Sequence, residues 1–399
     1  MRKFLIFLLT LLLLFTCACP ALCEDEEEEF SFADLESAPS ADPEEAADAP
    51  EGQPDNGAEA PEAPADEAPA AASGPVLQAD GSILLTLTAA GDVTIGRNVQ
   101  HKGTSIFDKE LSKQAGDVNF IFRNVKELFE NDDATIVNFE GVLADEYKIP
   151  SKKKNNDFLF LAPPEYAFVL PNNSVEIATI ENNHIDDFGD EGRADTQNAL
   201  TQAGTFWADE YHMAEYEAQG IKIAVLAYKT FDYYDTLRSK VPAEIASAKE
   251  DHDLVVVAFH WGAELDYAPN ANQVSLAHLA VDSGADLVLG HHSHRINPIE
   301  RYHDKYIVYS LANCSFAGNN KPSDMFTYIF QTRFRFRDGM IVENTFRIIP
   351  CRISSRKDYN DFAITPLTDQ SNIATVMSSL KSNSKKLDYA VENYPMEWE

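Results

Sequence analysis

Five short apolar runs in this chain each end at a residue able to bind a metal ion. Ile83–Ala90 runs into Gly91-Asp92, and Ala134–Val137 into Asn138-Phe139-Glu140-Gly141. Val175–Ile180 runs into Glu181-Asn182-Asn183-His184, Leu254–Phe259 into His260-Trp261-Gly262, and Leu287–Leu289 into Gly290 and then His291-His292-Ser293-His294. Near-continuous apolar runs of this kind read as strands buried on both faces, which requires helices packed over the sheet. In such α/β sheets the carboxyl ends of the strands line the ligand crevice. Five coincidences of this type are hard to assign to packing alone.

The rest of the pattern agrees with an α/β protein. Helices are predicted over Val118–Phe129, Arg193–Ala203 and Gln273–Val281, and a further strand over Ile221–Ala227. Pro298–Tyr302 and Tyr306–Ser310 read as a hairpin around His303–Lys305. Phe326–Phe336 and Met340–Ile349 flank Asp338-Gly339, a strong hairpin signal. One main domain is expected over 82–352, followed by a peripheral helical tail over 353–399.

The chemistry of the strand ends is consistent with one site. Asp92 and Glu140 offer carboxylates, Asn183 an amide oxygen, and His260, His292 and His294 imidazoles. Mixed oxygen and nitrogen donors suit Mn, Fe or Zn, and two such ions sharing a carboxylate can clamp a phosphoryl group. Each residue taken singly has a plainer reading: a turn at Gly91-Asp92 or Asn182-Asn183, a satisfied core histidine at His260, a helix cap at Glu140. If the histidine cluster is extended, alternation places His292 and His294 on one side and turns His291 and Ser293 elsewhere. Arg97 and Arg295 follow two of the motifs and are candidates for holding substrate phosphate or carboxylate oxygens; surface arginines are the plainer reading. Asp186 or Asp187 is placed to orient the ring of His184, and Trp261 reads as packing.

The amino terminus is of another kind. Arg2-Lys3 precedes an apolar run, Phe4–Phe15, and small residues follow. This is a secretory signal cleaved after Cys23, or a segment retained as a membrane anchor, or one lipidated at Cys17 or Cys19. Each reading exports the rest of the chain, which is then secreted or held at the outer face of the cell membrane. Residues 24–81 form an Ala/Pro-rich acidic stretch; positions 24–80 hold nineteen Asp or Glu and no Lys or Arg. Such a segment cannot bury enough surface to offset its ordering entropy and reads as a disordered spacer. Of the formal charge of −33, residues 81–399 then carry −16. The absence of a basic stripe excludes nucleic acid as a partner. Two cysteines lie beyond the amino-terminal run, Cys314 and Cys351; export permits a disulfide between them, and two buried thiols is the other reading.

The ordered motifs GD, NFEG, ENNHIDDFG, FHWG, GADLVLGHHSH and YSLAN, spread over about residues 84–318, resemble those of the bacterial CapA capsule-synthesis family, also called the poly-γ-glutamate synthesis family. That family is similar to the calcineurin-like metallophosphatases. The resemblance implies a four-layer α/β/β/α sandwich, one or two divalent metal ions, and an exported, membrane-attached protein tied to an anionic cell-surface polymer and to other capsule-synthesis proteins. It further implies that Asp92 is the first-strand metal ligand, Glu140 the bridging carboxylate and Asn183 the amide ligand. His260 and His292 would serve one ion and His294 the other, with His184 beside the leaving group. Two departures stand out. Thr94 occupies the place of a usual metallophosphatase histidine, and Glu140 is one methylene longer than the usual aspartate, so one ion has a thinner shell unless His291 substitutes. The leading expectation is a metal-dependent hydrolase acting on a phosphoester or related polymer linkage, an amide bond being a weaker variant. The rival is a non-catalytic binding or scaffold component of a polymer synthesis or export complex.

Overall fold

The Ile83–Thr94 strand has neighbours on both edges and packing on both faces, which is why it carries so little charge. In the computed structural model, which describes residues 75–398 apart from 102, 146–157 and 232–233, it lies inside an eight-stranded sheet. It pairs in parallel with Ala134–Phe139 and with Asn313–Phe316, and antiparallel with Phe326–Arg337. The sheet continues through Ile177–Thr179 to Phe206–Ala208 on one side, and through Met340–Arg352 to Thr365–Pro366 on the other. A second, six-stranded sheet has Leu254–Trp261 between Ile221–Thr230 and Leu287–His291, all parallel. Its hairpin, Ile299–Tyr302 with Lys305–Val308, lies beyond Leu287–His291. Three short strands, Arg97–Asn98, Val142–Leu143 and Phe160–Ala162, form a small third sheet.

Side-chain alternation along the strands separates three cores. Leu85, Leu87, Ala89, Ile136 and Ile177 meet Ile223, Val225, Val256 and Leu289 between the two large sheets. Val93, Val137 and Phe139 face outward onto Phe107 of the Ile106–Lys113 helix and Leu200 of the Gly189–Ala203 helix. Val255, Val257 and Val288 face the opposite way, onto Val241 and Ile245 of the Tyr234–Asp251 helix and Leu276 of the Ala271–Asp282 helix. The result is the expected four-layer α/β/β/α sandwich, in one domain.

Local differences have physical reasons. The helix expected over Val118–Phe129 is a 3₁₀ turn, Val118–Ile121, followed by a short helix, Lys126–Glu130. Phe120, Ile121 and Phe122 are all buried, and three consecutive residues cannot share one face of a regular α-helix. The stretch 353–399, expected to be peripheral, holds one helix, Gln370–Asn383, and is tied into the molecule. Val376, Leu380 and Tyr394 join the core between the sheets, and the Ile348 N–H donates to the Pro395 carbonyl at 2.8 Å. Cys314 and Cys351 are free, buried thiols. The Phe4–Cys23 run and all of the acidic stretch before residue 75 lie outside the described residues. Among the described residues, no helix is long and apolar enough to cross a membrane.

Candidate metal centre

Two glycines let the strand ends come together. A Cβ on Gly91 would sit 2.0 Å from the Ala312 carbonyl oxygen, and one on Gly290 would sit 2.0 Å from that of Tyr309. Neither position has room for any side chain. The Asp92 N–H donates to the Ala312 carbonyl at 2.9 Å, which fixes the first carboxylate at the mouth between the sheets. Beyond His291 the chain leaves its strand abruptly: His292 and His294 have φ of +90° and +53°. A left-handed backbone at a non-glycine residue costs on the order of 1–3 kcal/mol and persists only where surrounding contacts impose it. Here contacts with distant segments hold the loop: the His292 N–H lies 3.3 Å from Asp92 Oδ2, and Arg295 ties down the His294 carbonyl. The Arg295 guanidinium, buried, donates to that carbonyl and to Ser323 Oγ, both at 2.9 Å, and lies over the Tyr267 ring.

This geometry corrects two expectations. The histidine segment is not extended, so alternation fails: His291 faces the site, with Nδ1 3.1 Å from Asp92 Oδ1, while Ser293 turns to the Arg295 carbonyl. Arg295, a candidate for holding substrate, is engaged with the loop that presents His294. Arg97, the other candidate, is exposed on the third sheet beside a cavity lined by Asp108, Asp145 and Tyr166. No ligand candidate lines that cavity.

The remaining candidates converge. Glu140, His260 and His292 each offer a ligand atom within 4.8 Å of the others, and Asp92, Glu140 and His294 do the same. Glu140 is common to both sets. Asn183 Oδ1 is 2.8 Å from His260 Nε2, which is 3.0 Å from His292 Nδ1 and 3.5 Å from Glu140 Oε1. His294 Nδ1 is 3.2 Å from Asp92 Oδ2. Both Glu140 oxygens and His291 Nε2 are buried without a hydrogen-bond partner, while the Nδ1 atoms of His291 and His294 face Asp92 at 3.1 and 3.2 Å. Buried polar atoms in proteins are nearly always paired, so a cluster of unpaired ones marks a place shaped for something else. Carboxylate, amide and imidazole donors converging on an unpaired buried carboxylate fit a divalent metal ion.

Electrostatics show the same demand for positive charge. Burial opposes ionisation of Asp92, but hydrogen bonds and charge from His291 and His294 outweigh it and hold the carboxyl well below its usual range. Burial and the Asp92 charge push Glu140 up to about 7. Burial and His292 hold His260 well below the ordinary histidine range, and burial and His294 bring His292 down to about 3. His294 moves the other way, to about 9, because Glu140 and Asp92 outweigh its burial. Burial thus favours the neutral, ligating form of His260 and His292, whereas the neighbouring carboxylates favour the charged form of His294 while no cation offsets them.

Several supporting residues escaped the sequence analysis. Asn138, visible only as the first letter of NFEG, lies between Asp92 and His260. Asn182 accepts the N–H groups of His184 and Ile185 at 3.0 Å each and donates to the Phe139 carbonyl, which fixes the turn that presents Asn183 and His184. The partner of His184 Nδ1 is Asp187, at 2.8 Å. Asp186 pairs instead with Arg193 and Lys229, which also hold the buried Glu181. Three phenylalanines wall the site: Phe160 against His184, Phe231 against His292 and Phe316 against His294. Scattered single aromatics carry no spacing signal.

Residues 86–317 match the profile of the family described as bacterial capsule synthesis protein PGA_cap. The chain is similar to the capsule biosynthesis protein CapA of Bacillus anthracis, 29% identical over 255 residues, which are 58% of this chain and 60% of that protein. It is similar to the PGA biosynthesis protein CapA of Bacillus subtilis (strain 168), 30% identical over 262 residues, 61% of this chain and 66% of that one. The match thus spans three-fifths to two-thirds of those relatives. Among solved structures, a hypothetical protein from Thermus thermophilus aligns at 15% identity with a TM-score of 0.40, covering 67% of this chain and 99% of that one.

Proposed function

The chain belongs to the bacterial capsule synthesis family PGA_cap, and from that premise we propose that it is an exported accessory protein of capsule or poly-γ-glutamate synthesis, with a metal-dependent hydrolase centre in its cleft. The substrate class is a phosphoester or related linkage of an anionic cell-surface polymer. The names of the Bacillus relatives support the polymer and a place beside other synthesis proteins. The Arg2-Lys3 and Phe4–Phe15 pattern supports export and a membrane link.

One observation carries the catalytic part: Glu140, fully buried and with neither oxygen paired, is shared by two sets of ligand atoms. Asp92, Glu140 and His294 would hold one ion, and Glu140, Asn183, His260 and His292 the other. When bound, Mn, Fe or Zn ions supply Lewis acidity, acidify water and offset developing negative charge. The chain's own part is orientation and proton transfer. Asp187 holds His184 at Nδ1 and stabilises its imidazolium, whose Nε2–H is the proton delivered to the leaving oxygen. Phe160, Phe231 and Phe316 restrict water around these groups. In a domain of charge −16, an ion-filled cleft is also the place where a polyanion can approach.

The test is to titrate metal-stripped protein with Mn²⁺ while following an aryl phosphate, and then purified polymer. Turnover that requires metal and is lost in both Asn183→Ala and His260→Ala is the expected result. Fewer than one bound ion per chain, with no rise in melting temperature on adding metal, overturns the hydrolase reading and favours a binding or scaffold role.

A further inference from the structure

The turn that presents Asn183 and His184 is shaped by Asn182 but placed by ions. Glu181 at its start and Asp186 near its end are bridged by two cations from other elements. Lys229 Nζ lies 3.0 Å from Glu181 Oε1 and 2.8 Å from Asp186 Oδ2, and it donates to the Asn182 carbonyl at 3.1 Å. All three donors of its ammonium are thereby used on one turn. Arg193, on the Gly189–Ala203 helix, reaches Glu181 Oε2 at 2.8 Å, Asp186 Oδ1 at 2.9 Å and Asp209 Oδ2 at 3.3 Å. Lys229 belongs to the second sheet. It pairs in register with His260 on the neighbouring parallel strand. It also shares the alternation of Val225 and Ala227, which pack into the core between the sheets. Lys229 therefore reaches from beside His260 across to the turn that carries Asn183, whose Oδ1 is 2.8 Å from His260 Nε2.

Stability alone does not account for this arrangement. Glu181 is buried, and burying ions costs hydration that their mutual attraction offsets only when geometry is good. Apolar replacement of such a network is often neutral or stabilising. What the network supplies is a fixed geometry, because each donor meets its acceptor at one place. We propose that Lys229 is a positioning residue: it ties the Asn183–His184 turn of one sheet to the His260 strand of the other, and so sets how far Asn183 and His184 reach into the cleft. This rests on the metal-centre and proton-delivery reading above and adds to it a residue outside both ligand sets on which ligand spacing and proton delivery jointly depend. Lys249 provides the contrast. It lies on the Tyr234–Asp251 helix over the same sheet and also pairs with a buried carboxylate, Asp286, at 2.9 Å. Its partners, Asp286 and the Asp253 carbonyl, do not belong to the site.

The experiment reads coordination and turnover on the full chain. Metal-stripped wild type, Lys229→Met, Lys249→Met and Asn183→Ala are titrated with Co²⁺, whose visible absorption follows the number and arrangement of its ligands. They are then assayed with Mn²⁺ and an aryl phosphate. In Lys229→Met the Co²⁺ spectrum should move from that of the wild type toward that of Asn183→Ala, and Co²⁺ affinity should fall about 10–100-fold. Its kcat should fall by a similar factor with KM little changed. Lys249→Met, which breaks an ion pair of the same kind elsewhere, should keep the wild-type spectrum and turnover whatever its melting temperature. Asp186→Asn, at a half-exposed position, is the variant used should Lys229→Met fail to fold; its spectrum should move the same way by less. A folded Lys229→Met, or Asp186→Asn in its place, with the spectrum, affinity and kcat of the wild type overturns this proposal. So does a Lys249→Met that shifts all three as far. Wild-type protein that binds no Co²⁺ overturns the metal centre and this proposal with it. Wild-type protein that binds Co²⁺ without turnover overturns the hydrolase reading alone, and the spectra then decide the role of Lys229.

Discussion

Asn138 holds Asp92: its Nδ2 donates to Asp92 Oδ1 at 2.9 Å, and the same nitrogen lies 3.3 Å from His260 Nδ1. One amide therefore sets the orientation of a candidate ligand on each of the two sheets. Replacing it with leucine leaves every ligand in place but releases their aim. Asn138→Leu should weaken metal binding about 10–100-fold, measured by calorimetry on protein whose far-ultraviolet dichroism is unchanged.

His184 and Asp187 separate proton delivery from metal binding. His184→Ala should lower kcat by about 10²–10⁴-fold while leaving metal content unchanged. Asp187→Asn should cost less, because the imidazole remains but its imidazolium loses a carboxylate partner. Metal analysis beside steady-state kinetics distinguishes this from loss of the centre.

Glu140 is a liability without metal. A buried carboxylate with no partner destabilises the fold, so Glu140→Gln should raise the stability of the metal-free protein by about 1–3 kcal/mol. The same change should abolish the rise in melting temperature that metal produces in the wild type. Chelator should lower the wild-type melting temperature and leave that of Glu140→Gln unmoved, read by differential scanning calorimetry.

Gly290→Ala tests the close approach at the histidine strand. A Cβ would meet the Tyr309 carbonyl oxygen at 2.0 Å, and backbone cannot swing aside as a side chain can. The expected loss is about 3 kcal/mol or more, with weaker metal binding because His291, His292 and His294 follow directly. Denaturant unfolding with and without metal checks both parts.

Asp132 tests the electrostatics at a position outside the ligand sets. Burial, aided by the Glu176 and Asp133 charges and opposed by hydrogen bonds from Thr88 and Thr135, raises its carboxyl from 3.8 to about 7. A folded value above the unfolded one means that the native state keeps a proton which the unfolded chain releases. Stability from this group is therefore full below pH 3.8 and is lost as pH rises through about 7. Asp132→Asn should stabilise the protein by about 1–3 kcal/mol at pH 8 and have little effect near pH 4. Urea midpoints across pH read the difference directly.

The strands and their polar ends are legible in the sequence because they are local. A buried strand shows itself as an apolar run, and its end shows where that run breaks. This holds for Leu254–Trp261 and for Leu287–His291, each of which extends two residues past its apolar run and into its motif. Asp92, Glu140, Asn183, His260, His292 and His294 are readable for the same reason. The stretch Val118–Phe129 misleads because its aromatic run suits a tight turn buried on several sides as well as it suits a helix.

Residue order alone therefore determined the layers, the strands and the kinds of ligand. It did not determine which way the histidines turn, that Arg295 ties down their loop, or that Asn138 stands beside Asp92. Those depend on backbone angles and approaches set by contacts between distant segments; the His292 N–H lies 3.3 Å from Asp92 Oδ2, across 200 residues of chain. Alternation predicts side-chain direction only while the backbone stays extended, and His292 and His294 are held in the left-handed region by packing that no local pattern encodes.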